Sequence, residues 1–246
     1  MLWQNLNYKG IADILVKTNG TAMLPIGATE QHGPHLGCGV DSVIVYKLCV
    51  SVSDITGVPV LPLLPYGCSL GHSKKWPSTI AINPVILIEL ITQIGRWAYL
   101  SGVRRLFMIN GHVTNNAPLR CALEILRSEF EDYMIGLIDT SRISPRIHDM
   151  HTKDGEDWHA NDAETSLMLD IADEMVDHSL MESSDDEDRT TDKVFAHPVN
   201  KTSKNGVTGN PSAATRKKGE ELFKWMVSDL EKIIRKGMTE TAPLQE

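Results

Sequence analysis

The sequence predicts an α/β fold built on parallel strands, and three observations carry that expectation. Short runs rich in Val, Ile and Leu alternate with longer segments of helical period along most of the 246 residues. The short runs are continuously apolar, as parallel strands covered on both faces are. Gly57 and Gly102 stand just past helical segments, where a left-handed residue closes a helix.

In chain order, a short helix is expected near Tyr8 to Lys17, then a strand over Ala22 to Gly27 and a helix over Ser42 to Asp54. Val58 to Leu64 reads as a second strand, followed by a helix from Pro84, a good first-turn residue, to Leu100. Arg105 to Asn110 and Met134 to Asp139 read as strands on either side of a helix over Asn116 to Phe130. Residues 140–161 are rich in His, Asp and Gly and read as a loop. A helix follows over Ala163 to Val176, then a polar stretch over 182–212, then a last helix over Ala213 to Arg235. Loops of such length inside a domain are usually functional or mobile. No Pro/Gly/Ser linker separates two cores, so residues 1–246 are expected to form one domain.

Hydrophobic residues make up 41% of the chain, enough for a buried core. Against 32 Asp and Glu stand 24 Lys and Arg, a net charge of −8, which argues against a nucleic-acid partner. Residues 182–188, ESSDDED, hold five of those acids. The cysteines Cys38, Cys49, Cys68 and Cys121 lack CxxC spacing, which suits a reducing, cytoplasmic setting. Neither a leader-like N-terminus nor a bilayer-length apolar run is present, so a soluble, unexported protein with no membrane partner is expected.

Three clusters can carry chemistry. Glu30-Gln31-His32-Gly33-Pro34-His35 follows the first strand, with Asp41 opening a helix. Residues two apart in an extended segment share a face, so Glu30 and His32 can address one spot, and carboxylate with imidazole suits Zn, Mn or Fe. Alone, Asp41 reads more readily as a helix N-cap and His35 as a satisfied polar contact. The second cluster, Asn110-Gly111-His112, follows another strand; both clusters fall where open parallel sheets bind ligands. Asn110 and Gly111 also suit a tight turn, with His112 packed beneath a helix. In the third, Trp158-His159-Ala160-Asn161-Asp162-Ala163-Glu164, Asn161 and Glu164 have capping-box spacing. Glu164 is therefore either a cap or a metal ligand, and His159 is a candidate for proton transfer.

A rival motif is Gly67-Cys68-Ser69-Leu70-Gly71, which matches the GxSxG nucleophile elbow and would make Ser69 the nucleophile of a serine hydrolase. The elbow needs a helix directly after it. The proline-containing stretch after Ser69 has no helical period. Neither a Walker A motif nor GxGxxG occurs.

Taken in order, Ile26-Gly27-Ala28-Thr29-Glu30-Gln31-His32-Gly33-Pro34-His35-Leu36 with Asp41, Asn110-Gly111-His112, His159 with Glu164-Thr165-Ser166, and Gly206-Val207-Thr208-Gly209-Asn210-Pro211 resemble the creatininase (creatinine amidohydrolase) family over nearly the whole chain. The resemblance implies a three-layer α/β/α sandwich with a mostly parallel sheet and a dinuclear site holding two divalent ions, Zn and/or Mn, with Fe possible. It implies that Glu30 and His32 each bind one metal, that Asp41 bridges them, that His112 completes one sphere and that His159 is the catalytic histidine. Where creatininases carry a metal-binding Glu two residues after the NGH histidine, this chain has Thr114, which leaves that role to Glu164 or weakens the second metal. Ser78 stands where the family often has glycine.

The activity so implied is hydrolysis of a C–N amide bond, cyclic or formyl, in a small molecule by a metal-activated water, with Glu164 assisting His159. Ring opening of an oxidised inositol (3-dehydro-scyllo-inosose type), a C–C cleavage, is the alternative at the same metal site. Substrate-binding candidates are Trp76, Trp158, Ser73 and Thr114; Lys74 and Lys75 read more readily as solvated surface lysines than as a draw for an anionic substrate. A homo-oligomer, a hexamer by resemblance, is expected.

Overall fold

β1 (Thr21–Ile26), β2 (Arg105–Asn110) and β3 (Met134–Asp139) form a parallel sheet in that order, in a computed structural model describing residues 1–72 and 74–244. Thr21 pairs with Arg105 and Arg105 with Met134, so Ile26, Asn110 and Asp139 line up at one edge. Alternation of side chains across a strand sends Ala22, Leu24, Ile26, Leu106 and Met108 to one face and Met23, Phe107 and Ile109 to the other.

Each face is covered by helices. α1 (Tyr8–Lys17), α3 (Pro84–Leu100) and α4 (Asn116–Glu129) pack on the first, while α2 (Val40–Thr56), α6 (Asp162–Ile171) and α8 (Arg216–Thr239) pack on the second. The three-layer α/β/α arrangement expected from the family resemblance is what the chain adopts. Helices α1 and α3 begin and end where the sequence places them. Asn7 accepts the Lys9 and Gly10 amides, Asn83 accepts the Val85 amide, and Pro84 occupies the first turn of α3. Gly57 and Gly102 take φ of 75° and 104°, as their positions after helices require. α8 lies close on α6 because Gly219 has no Cβ; one there would collide with the Ser166 carbonyl oxygen.

Four expectations need correction. Val58 to Leu64 runs parallel to β1 but makes only isolated bridges, Val60 to Met23 and Leu64 to Ile26. Met23 bonds the Pro59 carbonyl and the Leu61 amide, but Pro25 of β1 and Pro59 have no amide proton to extend the pairing, so a continuous ladder cannot form there. The stretch 140–161 is no mere loop: it contains α5 (Pro145–Thr152), with Pro145 in its first turn. The helix expected to reach Val176 stops at Ile171 and continues as a 3-10 turn, Asp173–Met175. The last helix starts three residues late, after a 3-10 turn over Pro211–Ala213, and runs on to Thr239.

The acid run also differs from a solvated loop. Asp185 accepts from the Ser212 amide and hydroxyl, and Asp186 from Arg189, the Ser203 hydroxyl and the Lys204 amide. Asp188 accepts from the amides of Glu156, Asp157 and Thr190. Short of α8, one further helix, α7 (Val199–Thr202), lies beyond this run. No helix of the described residues is long and apolar enough to cross a membrane.

Candidate active site

The aligned strand ends place all three sequence clusters at one cavity of about 200 Å³. Its lining includes Glu30, Asp41, His72, His112, Thr114, Arg142, Trp158, His159 and Glu164. Such a volume is below the roughly 300–1,000 Å³ of sites for drug-sized ligands.

At the floor, polar atoms converge without meeting. His32 Nε2 lies 3.7 Å from Asp41 Oδ1 and 3.8 Å from Glu164 Oε1. His112 Nδ1 lies 3.5 Å from Asp41 Oδ2, and His112 Nε2 lies 3.4 Å from Glu30 Oε2. His159 Nδ1 and His72 Nδ1 stand 3.7 and 3.8 Å from Glu30 Oε1. These spacings exceed hydrogen bonds. Two atoms sharing one ion at about 2.0–2.2 Å each are separated by about 3–3.5 Å, close to the distances from Asp41 to His32 Nε2 and His112 Nδ1.

The donor chemistry fits a divalent ion as well. Both Glu30 oxygens, Asp41 Oδ2 and His32 Nε2 are buried without a hydrogen-bond partner, a costly state unless a cation meets them. His32 turns Nδ1 toward the Glu30 carbonyl at 3.3 Å, the outer hydrogen bond a metal-binding imidazole usually makes, leaving Nε2 bare. His112 is oriented likewise: its Nε2 bonds the Thr114 hydroxyl, which donates to the Cys68 carbonyl. Thr114 thus supports His112 and offers no carboxylate of its own. Glu164 divides its labour. Oε2 accepts the Ala160 amide at 2.6 Å while Oε1 faces His32, and Asn161 accepts the Glu164 amide at 3.2 Å, so cap and candidate ligand coexist. Ala160 holds φ of 52° to aim that amide, an uncommon region for alanine.

Burial pushes the Glu30 carboxyl up, but the surrounding His112, His72, His159 and His32 outweigh it and hold the group at about 2. Burial likewise opposes charge on His32, yet Asp41, Glu164 and Glu30 drive it up to about 10. Burial raises the Asp41 carboxyl well above the usual range. It lowers His159 to about 4, with His32 adding to the effect, so the ring is neutral near pH 7.

Away from the floor, burial first and then the neighbouring His32 lower His35 to about 4, and burial lowers His151 to about 4. Both rings take up protons more readily unfolded, where the value is 6.5, so their contribution to stability is intact above about 6.5 and is lost as pH falls toward 4. The metal-free chain is therefore expected to lose on the order of 2 kcal/mol per ring over that window. Urea midpoints between about pH 7 and pH 4.5 check this, and a flat profile would contradict neutral buried rings.

Asp41 does not cap α2. Gly39 occupies that position, and Asp41 sits in the first turn with its carboxylate turned into the site. Asn110 makes the expected turn, bonding both the amide and the carbonyl of His112, and the His112 ring nevertheless faces the floor. His35 makes the expected polar contact, Nε2 to Thr165 Oγ1 at 2.8 Å. Ser69 is fully buried and is followed by one 3-10 turn, Leu70–His72, where a nucleophile elbow would continue into a helix. Trp158 borders the cavity and packs on His151, ring centroids 4.6 Å apart and tilted by 39°. Trp76 is not part of the lining: the Lys75 ammonium lies 4.5 Å over its ring and is held by the Ser203 carbonyl. Ser73 lies outside the described residues. Ser78 takes φ of 84°, the left-handed region that favours glycine. Sequence reasoning missed His72, Arg142 and the role of Gln31; the signal for α5 was present in Ser144-Pro145, a cap residue before a first-turn proline.

Residues 4–234 match the creatininase family, described as creatinine amidohydrolase. The chain is 30% identical over 214 residues to the mycofactocin precursor peptide peptidase of Mycolicibacterium smegmatis, covering 84% of this chain and 81% of that one. It is 29% identical over 230 residues to the creatinine amidohydrolase of Pseudomonas putida, covering 87% and 88%. A creatininase variant solved in a Zn–Zn form superimposes with a TM-score of 0.85 at 25% identity, covering 97% of this chain and 98% of that one. With the match running through every strand and every candidate ligand, this chain belongs to the creatininase family of amidohydrolases.

Proposed function

We propose that the protein is a divalent-metal-dependent hydrolase that cleaves a C–N amide bond, cyclic or formyl, in a small molecule, with Glu30, His32, Asp41, His112 and Glu164 holding two ions, Zn and/or Mn. The observation that carries this reading is the set of buried, unpartnered acceptor atoms at the cavity floor. When bound, such ions lower the pKa of a shared water toward neutrality and polarise the substrate carbonyl.

The chain's own residues supply the rest. Asp41 turns one oxygen toward His32 and the other toward His112, the placement a bridging carboxylate needs. Neutral His159 takes a proton from the attacking water at Nδ1 and returns it to the leaving nitrogen. Trp158 offers a flat wall to a small ring, and the cavity's size favours small substrates. Four unpaired cysteines agree with a reducing, cytoplasmic setting.

Chelation with assay against creatinine, formamides, a short peptide amide and keto-inositols tests the reading. Hydrolysis of an amide that is lost in chelator and restored by Zn or Mn is expected. Activity indifferent to chelator would overturn the metal assignment, and turnover of a keto-inositol alone would replace amide with C–C cleavage. The proposal includes a homo-oligomer: α3 exposes Val85, Ile86, Trp97 and Leu100, an apolar face that a second copy can cover. Native mass spectrometry reads the copy number; a monomer alone contradicts it.

A further inference from the structure

Gln31 touches two cavity imidazoles at once, and the proton count at its amide settles how each is used. Its Oε1 accepts the Gly33 amide at 2.9 Å, which fixes the orientation of the side chain. Nε2 then faces the Gly206 carbonyl and His72 Nδ1, each at 3.0 Å. His159 is also near: its Nε2 lies 2.8 Å from the Gln31 backbone carbonyl and 3.2 Å from Gln31 Nε2. A carbonyl oxygen only accepts, so His159 Nε2 carries the proton and cannot also accept from the amide. The two amide protons therefore go to Gly206 and to His72 Nδ1.

Both rings end with an unprotonated Nδ1, but in different surroundings. On His159 that lone pair faces the Glu30 side of the floor. On His72 it is taken up by Gln31, which removes His72 from the ligand set although Nδ1 lies 3.8 Å from Glu30. The proton of His72 is left on Nε2. The ring borders the cavity, its centroid 4.3 Å from that of His159, and Nε2 does not count among the buried atoms left without a partner. An N–H on a ring that lines the cavity is a donor that a ligand there can take up in place of water.

We infer that Gln31 sets the protons on both rings, making His72 a catalytic residue whose Nε2–H donates to the carbonyl oxygen of the bound substrate while His159 moves its proton at Nδ1. The inference rests on the amide-hydrolase reading for the substrate, but not for the protons. Donation strengthens as that oxygen gains negative charge, which is how a fixed donor lowers a barrier. Gln31 acts through His72 and is a positioning residue.

Long-range proton–nitrogen NMR of the metal-free protein labelled with ¹⁵N-histidine reads each tautomer directly. Both His72 and His159 are expected as the Nε2–H form. Gln31→Met should release His72 into a mixture and leave His159 unchanged, because the partner of His159 is a backbone carbonyl. An Nδ1–H signal from either wild-type ring, or a His72 indifferent to Gln31→Met, overturns the inference. On zinc-loaded protein with the amide it hydrolyses, His72→Phe should lower kcat by about 100- to 1,000-fold with KM and zinc content nearly unchanged. His72→Gln keeps an N–H near the Nε2 position and should restore most of that loss. Zinc lost from His72→Phe makes His72 a ligand, and full turnover makes it packing; either result refutes the donor role. If the wild type hydrolyses no amide, the proposed function fails, and the tautomer signals alone decide for or against the proton placement.

Discussion

Asp41→Ala will emerge from zinc reconstitution with almost no bound metal, both ions being lost together. One carboxylate reaches toward two imidazoles, with Oδ1 3.7 Å from His32 and Oδ2 3.5 Å from His112. Turnover should fall well beyond the about 10- to 100-fold that loss of an outer-shell partner costs, because the ions themselves are gone. Folding should survive, with His32, which the Asp41 carboxylate helps to hold in its charged form, turning neutral once that carboxylate is gone. Metal analysis with a thermal melt of the metal-free variant separates the outcomes: one full equivalent of retained zinc contradicts the bridge, and a collapsed melt marks a folding defect.

His159→Ala is the complementary case, a variant that keeps its metal and loses its chemistry. The ring is neutral near pH 7, borders the cavity and holds a proton at Nε2 against the Gln31 carbonyl. Removing a general acid or base lowers turnover by about two to four orders of magnitude. The backbone at 159 stays in place because its amide and carbonyl both pair with Thr208, at 3.0 and 2.8 Å. Unchanged kcat with full zinc occupancy would reassign His159 to packing, whereas loss of zinc would make it a ligand.

The sheet and most of its helices were legible because their signals are local: continuous apolar runs, Asn7 and Asn83 as caps, Gly57 and Gly102 as stops. Val58 to Leu64 was misread because hydropathy does not register the missing amide protons of Pro25 and Pro59. The ligand candidates were legible as residue types at strand ends, and the family resemblance gave them roles. Two features depend on contacts that no local pattern encodes. Glu164 accepts the Ala160 amide with one oxygen and turns the other toward His32, because a carboxylate has two oxygens. Thr114 bonds the His112 ring and the Cys68 carbonyl. His72 carried no local signal. Its partner, Gln31, is 41 residues away, and nothing in a stretch without helical period indicates that the two meet. Trp76 was expected at the pocket on residue type alone, and the Lys75 ammonium over its ring shows how weak that guide is.

The acidic run has a consequence for how this chain can drift in length. Asp186 and Gly209 exchange backbone hydrogen bonds at 3.1 and 2.7 Å, and the adjacent Thr208 pairs with His159. A residue inserted or deleted between Asp185 and Asp188 would put these pairings out of step and carry the error to the His159 ring at the cavity. Around Val194 and Phe195, 90% and 77% exposed, no such chain of pairings leads inward. Natural variation in loop length should therefore accumulate there, with the run of aspartates keeping its spacing even where its charge is not needed.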